Sequence, residues 1–230
     1  MKSNLATLVL HDARLQYRYG IYAAYAVVVS IYVGLLLAVG PGLPDWVAAF
    51  IIFSDPAALG FFFLGALMML ERSEGVRTAL AITPLSLGDY LSAKMLTLTA
   101  LALIACIALF AAHGIGNPML LLLTVALTSV QYIGIGVPIA LRFKTVSGYL
   151  MGSAGFLTPV IAPAFLALLD PFPTGLAIIP SVSQFRLMLI ATGAASSTAV
   201  ETASMLAISL ASAIAGIWIA RRALATEFGR

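Results

Sequence analysis

Residues 71–94 read ERSEGVRTALAITPLSLGDYLSAK, the one long polar stretch in an otherwise apolar chain. A hydrophobic run lies on either side of it, Trp46 to Leu70 before and Met95 to Ala112 after. Each run is long enough to cross a bilayer, so the pair predicts two spanning helices joined by an ordered loop at one membrane face. Further runs at Ile21–Gly40, Pro118–Leu141, Gly148–Leu169 and Ala199–Ala220 bring the expected spans to six. The expected fold is an all-α integral membrane protein, with residues 1–230 forming one membrane domain.

Composition agrees with that reading. The chain is 62% hydrophobic and 9% charged, against roughly a quarter charged in an ordinary soluble domain. A net charge of +3 and a pI near 9.2 could point to nucleic acid. The Lys and Arg residues are scattered between apolar runs and make no basic stripe, so a nucleic-acid partner is not expected. Their placement reports topology instead. With the N-terminus in the cytoplasm, eleven of the twelve basic residues fall on the cytoplasmic side (Lys2, Arg14, Arg18, Arg72, Arg77, Lys94, Arg142, Lys144, Arg221, Arg222, Arg230) and Arg186 alone falls outside. That asymmetry is a strong positive-inside bias, and it places residues 71–94 and both termini in the cytoplasm. Arg14 and Arg18 precede the first apolar run, an arrangement unlike a cleavable signal peptide, so the N-terminus is expected to be retained on a chain that crosses a membrane several times. Cys106, the single cysteine, lies in an apolar run and reads as a small core residue.

The N-terminal stretch, residues 1–20, puts Leu5, Leu8, Val9 and Tyr19 on one side at helical spacing with Arg14 and Arg18 opposite. This suits a helix lying at the membrane interface or a cytoplasmic helix, although Asp12 and Gln16 fall on the apolar side and weaken the pattern. Residues 170–198 carry Pro171, Pro173 and Pro180 and an apolar stretch too short to span; they read as an external re-entrant or interfacial segment, or as a connecting loop. Pro138, Pro159 and Pro163 interrupt two other spans, either as packing kinks or as the joints of a bundle that changes shape.

Catalytic chemistry is hard to place on this chain. No GxxxxGK[ST] phosphate loop occurs, so ATP work would need a partner. The two histidines, His11 and His113, fall on opposite faces and exclude a histidine-based metal site. No cofactor is expected. Asp55 stands out, since it lies about nine residues, or about 14 Å, inside the second span. A carboxylate there costs on the order of 2.5–3.5 kcal/mol on an insertion scale. It therefore faces protein or water, as a cap for the half-helix that Pro56 would start, as a bundle contact, or as a residue lining a transport path. Gln131 and Tyr132, polar side chains inside the fourth span, are further path candidates.

The polar stretch carries a grammar of its own: Glu71 and Glu74 at the end of a span, then Gly75, then VRTALAI with Arg77 and Leu80, then a break at Thr83–Pro84 and a restart at Leu85. The pattern E..EG...AL..TPLS...YL..K resembles the coupling segment of type-2 ATP-binding-cassette export permeases. The likeness extends over nearly the whole chain, from RLQYRYG in the N-terminal helix to the Pro-containing segment before the last span. Among small bacterial members it most resembles drug-export permeases of the fluoroquinolone kind. The resemblance implies a membrane subunit that exports hydrophobic drugs or lipid-like compounds, is driven by a separate ATPase subunit, and works with a second copy or a sister permease. Glu71, Glu74, Gly75, Arg77, Leu80, Thr83, Pro84 and Leu85 would then form the ATPase-coupling surface. A non-transporting membrane assembly protein and an intramembrane enzyme are the rival readings.

The topology has a direct test. In a Cys106-free background, a cysteine at position 77 should resist membrane-impermeant maleimide added to intact cells, whereas one at position 170 should react. Labelling at 77 from outside would refute the six-span arrangement.

Overall fold

The computed structural model describes residues 5–39, 42–75, 86–114 and 116–228. Among them are six helices long and apolar enough to cross a membrane, and no strand. Helix α1 spans Leu5–Arg18. Gly20, at φ +71°, turns the chain into α2, Ile21–Val39. Helix α3 runs over Trp46–Ser73, α4 over Leu87–His113, α5 over Pro118–Arg142 and α6 over Val146–Ile161. A 3-10 stretch, Ala162–Leu168, prolongs α6. After a second 3-10 turn at Thr174–Ile178 come α7, Pro180–Ala191, and α8, Ala199–Phe228.

Local sequence sets several of these boundaries. Ser86 caps α4 by accepting the Asp89 N–H at 3.0 Å. Asn117 caps α5 by accepting the Leu120 N–H at 3.1 Å, with Pro118 in the first turn, where a missing N–H costs nothing. Thr198 and Glu201 form a reciprocal box at the start of α8, the Glu201 N–H reaching Thr198 Oγ1 at 3.3 Å and the Thr198 N–H reaching Glu201 Oε2 at 2.9 Å.

Helices α3 and α5 form the centre of the bundle. The protein buries 67% of the α3 span and 61% of the α5 span, against 17% for α2 and for α6, so these two outer helices present most of their surface outward. Lipid is as apolar as leucine, so helices associate in it by close approach and by hydrogen bonding. Helix α5 provides both kinds of contact. A Cβ on Gly134 would run into the Gly216 backbone of α8, and one on Gly136 would run into the Gly60 carbonyl of α3. The Tyr149 hydroxyl of α6 donates to the Phe61 carbonyl, and the Tyr149 ring occupies the space where Gly65 has no side chain.

The structure corrects several expectations. The loop expected over 71–94 is shorter, because α3 continues to Ser73 and α4 begins at Leu87. The expected break at Asp55–Pro56 does not occur: α3 passes through Pro56 and widens into a π turn only at Leu59–Phe63, where the Leu64 N–H bonds to the Leu59 carbonyl. Asp55 therefore caps nothing. Residues 170–198 are no plain loop either, since they contain α7, twelve residues long and buried among α3, α5 and α8. At about 1.5 Å per residue α7 is too short to cross a bilayer.

The close helix crossing yields a paired prediction. Gly134→Ala should lower stability by about 1–3 kcal/mol through overpacking against Gly216. Gly34→Ala meets nothing within 4 Å and should leave stability unchanged or raise it by up to about 1 kcal/mol. Detergent unfolding of the two variants side by side checks the contrast, and equal losses would contradict the packing described.

Candidate functional site

Three polar constellations stand out against the apolar bundle. The largest sits where α1 meets the end of α3 and the first turns of α4. Lys94 is 1% exposed and its Nζ donates to Asp12 Oδ1 at 2.9 Å and to Glu71 Oε1 at 2.5 Å. Tyr90 donates to Glu71 Oε2 at 2.7 Å, while Gln16 and Thr97 donate to Asp12 Oδ2 at 2.7 and 2.6 Å. Each of the four carboxylate oxygens thus accepts at least one hydrogen bond, as two buried carboxylates around a single ammonium require. On the surface above, Glu74 receives Arg18 at 3.1 Å and the Tyr19 hydroxyl at 2.7 Å. Burial, aided by the bond to Glu74, pushes the Tyr19 pKa up to about 12, so this phenol remains a donor at physiological pH.

These contacts enclose the stems of the 71–94 segment. Glu71, expected on a coupling surface, points into the protein. Glu74 is exposed, and Gly75 takes a left-handed φ of +73° that lets the chain leave α3. Arg77, Leu80, Thr83, Pro84 and Leu85 lie outside the described residues.

The second constellation lies at mid-span. Asp55, 3% exposed, accepts the Tyr25 hydroxyl of α2 at 2.5 Å and has no ion pair among the described residues. Gln131 of α5 accepts Gln184 Nε2 of α7 at 2.5 Å and Ser212 Oγ of α8 at 2.6 Å. Tyr132 packs edge-on against Phe53 and Phe61, at 6.2 and 5.9 Å between ring centroids, and its hydroxyl has no hydrogen-bond partner among the described residues. No hydrogen bond joins Asp55, Gln131 and Tyr132 to one another, so the three path candidates do not form one polar lining.

At the opposite end from Lys94, Asp45, Trp46, Asp170, Arg186 and residues 193–196 line a cavity of about 600 Å³. A smaller one of about 180 Å³ shares Asp170 and Arg186 and adds Glu201. Arg186 donates to the Ala167 carbonyl at 2.9 Å and lies over the Phe172 ring at 4.7 Å. Burial pulls its pKa down against the opposing influence of Asp170 and Glu201. Among the described residues no cluster of His, Cys, Asp and Glu could hold a metal ion.

Several of these residues escape a reading of the sequence. Asp12 and Gln16 lie four apart on the inward side of α1 and form its anchor; the signal was present but read as a blemish in the apolar stripe. Gln184 and Ser212 carry no pattern that marks them, and Tyr90, although part of the 71–94 pattern, carries nothing that pairs it with Glu71.

The geometry is that of a multi-pass membrane protein with buried polar joints between its helices. The sequence profile of the fluoroquinolones export permease protein family matches residues 3–228. The chain belongs to that family. Among curated proteins it is 28% identical over 135 residues to the fluoroquinolones export permease proteins of two strains of Mycobacterium tuberculosis, a stretch covering 58% of this chain and 57% of each relative. The matched stretch thus spans little more than half the length of those relatives. No solved structure matches the chain. Six candidate spans and membership of that family make this chain a multi-pass membrane protein.

The buried charge network separates two kinds of ion pair. Lys94→Met should cost about 3–5 kcal/mol, because it leaves two carboxylates buried without a cation. Arg18→Ala removes a pair whose Arg side chain is 69% exposed and should cost at most about 1 kcal/mol. Denaturant unfolding in detergent measures both, and a Lys94→Met variant as stable as Arg18→Ala would show that the network carries no stability.

Proposed function

We propose that the chain is the membrane subunit of an ATP-driven exporter that moves hydrophobic drugs or lipid-like compounds out of the cell. A separate nucleotide-binding ATPase supplies the energy, and a second permease copy or a sister permease completes the path. The chain resides in a bacterial inner membrane with both termini and the 71–94 segment in the cytoplasm. Membership of an export family supports the transport half of this reading, and the names of the mycobacterial relatives support drug cargo of the fluoroquinolone class.

One observation carries the coupling half. The stems of the 71–94 segment are held by a buried cation that bridges Glu71 and Asp12, so a load applied to residues 76–85 would be shared at once by α1, α3 and α4. A plain solvated loop would dissipate such a load. Glu74 and Gly75, together with Arg77, Leu80, Thr83, Pro84 and Leu85, would be the surface offered to the ATPase; Glu71 acts behind it. A short apolar and basic helix seated in a partner groove is a recurring mode of protein recognition.

Arg77→Glu places a like charge against an acidic cleft, and Leu80→Asp buries an unpaired charge in the docked interface. Each variant should reduce ATPase copurification and transport at least tenfold, with membrane insertion and yield unchanged. Full partner binding and export by both variants would remove this segment from the coupling role.

A further inference from the structure

We propose that the groove between α5 and α8 is a lateral binding site, open to the bilayer, for a neutral, largely apolar compound with one hydrogen-bond acceptor. This rests on the export reading and deepens it by naming a site and a ligand class. The groove holds about 430 Å³, within the range of small-molecule sites. Ile135, Ile208 and Ile219 form apolar walls, and Ala211 and Ala215 leave the space open. Among the described residues no charged side chain lines it, so an ionic ligand would lose its hydration without gaining a partner there.

The polar part of the groove is Gln131 with Ser212. Gln131 occupies the middle of the α5 span and is 4% exposed. Both hydrogen bonds it receives end on Oε1, from Gln184 and Ser212. Its Nε2 donates to no described residue. The neighbouring Gln184 Oε1, wholly buried, also lacks a partner. An amide donor at bilayer depth has no water to satisfy it, and an unmade bond there is costly. An acyl chain could fill the volume and leave the donor unpaired. A carbonyl or ether oxygen on a compact apolar body would fill both.

Benzophenone is a suitable probe, being neutral, with two rings and one carbonyl, and inserting into nearby C–H bonds under ultraviolet light. With the full chain in lipid nanodiscs, labelling should saturate and map to the groove-facing segments of α5 and α8. Ala211→Phe and Ala215→Phe fill the groove from exposed positions without touching the Gln131 bonds, and each should reduce that labelling at least tenfold. The two variants stand in for each other if one misfolds. On the wild-type chain, phenyl benzoate should compete at least fivefold better than diphenylmethane, which lacks an acceptor; this comparison needs no variant. Labelling that is unsaturable and spread over all lipid-facing helices would overturn the proposal. So would equal competition, or Phe variants that change only the oligomeric state, which would make the groove an interface between copies. No ATPase is present in this assay, so its failure leaves the coupling reading standing, and failure of the loop variants leaves the groove standing.

Discussion

Lys94 lies at the depth where α4 leaves its polar first turns and enters its apolar run, a position that would leave an unpaired ammonium facing hydrocarbon. The protein instead closes it between two carboxylates from elsewhere in the chain, with Tyr90, Gln16 and Thr97 satisfying the remaining oxygens. Burying three ionised groups is tolerable only when the set is complete, because the low local dielectric that strengthens each contact also raises the cost of any missing one. The rest of the basic end depends on this. Helix α1 crosses no membrane by itself, and its position on α2 and α4 is anchored by the two polar side chains it turns inward. The end of α3 is held by the same cation. Three elements far apart in sequence thereby share one electrostatic joint.

Away from that joint, the bundle is held by a different balance. In lipid, apolar side chains gain little from packing against one another rather than against acyl chains, so helices must meet where backbones can approach or where polar groups pair. Helix α5 meets both conditions on two sides, with Gly134 against α8, Gly136 against α3 and Gln131 reaching α7 and α8. This accounts for its burial, and for the largely buried α7: a helix too short to span is held in place by the Gln184 amide and by the Asn117 N–H, which donates to the Ala191 carbonyl at 2.7 Å.

Six spans are legible in the sequence because length and hydropathy are local quantities, and each run is long enough to cross a bilayer. The ends of those spans are less legible for an electrostatic reason. Glu71 and Lys94 read as polar loop residues when each is considered alone, yet each lies in a helix because the other neutralises it, and the pairing joins residues 23 apart. Asp55–Pro56 reads as a break because proline removes a donor; the chain keeps its helix by widening the next turn instead. The Gln131–Gln184 amide pair joins positions 53 apart, which no single sequence reveals. Of the candidate coupling residues, Glu71, Glu74 and Gly75 have a described place, and Glu71 faces inward.

The two halves of the molecule meet along α3. Its last turns carry Glu71 and are clamped, whereas its middle contains the π turn at Leu59–Phe63, a wider and less regular stretch of the kind found at functional sites. Around that turn the contacts are backbone approaches, ring packing and a single hydroxyl, with Gly60 against α5, Phe61 on Tyr132, Phe63 on Tyr25 and Tyr149 on the Phe61 carbonyl, and no ion pair among the described residues. A displacement entering at Glu71 would therefore travel as a rigid body through Leu64–Ser73 and be absorbed first at the π turn. Asp55, one turn beyond it, is tied to α2 through Tyr25 alone, so the same displacement would shift α2 relative to α5. Under the proposed coupling, the clamped end at Lys94 and the π turn at Leu59–Phe63 would put the pivot inside the bundle.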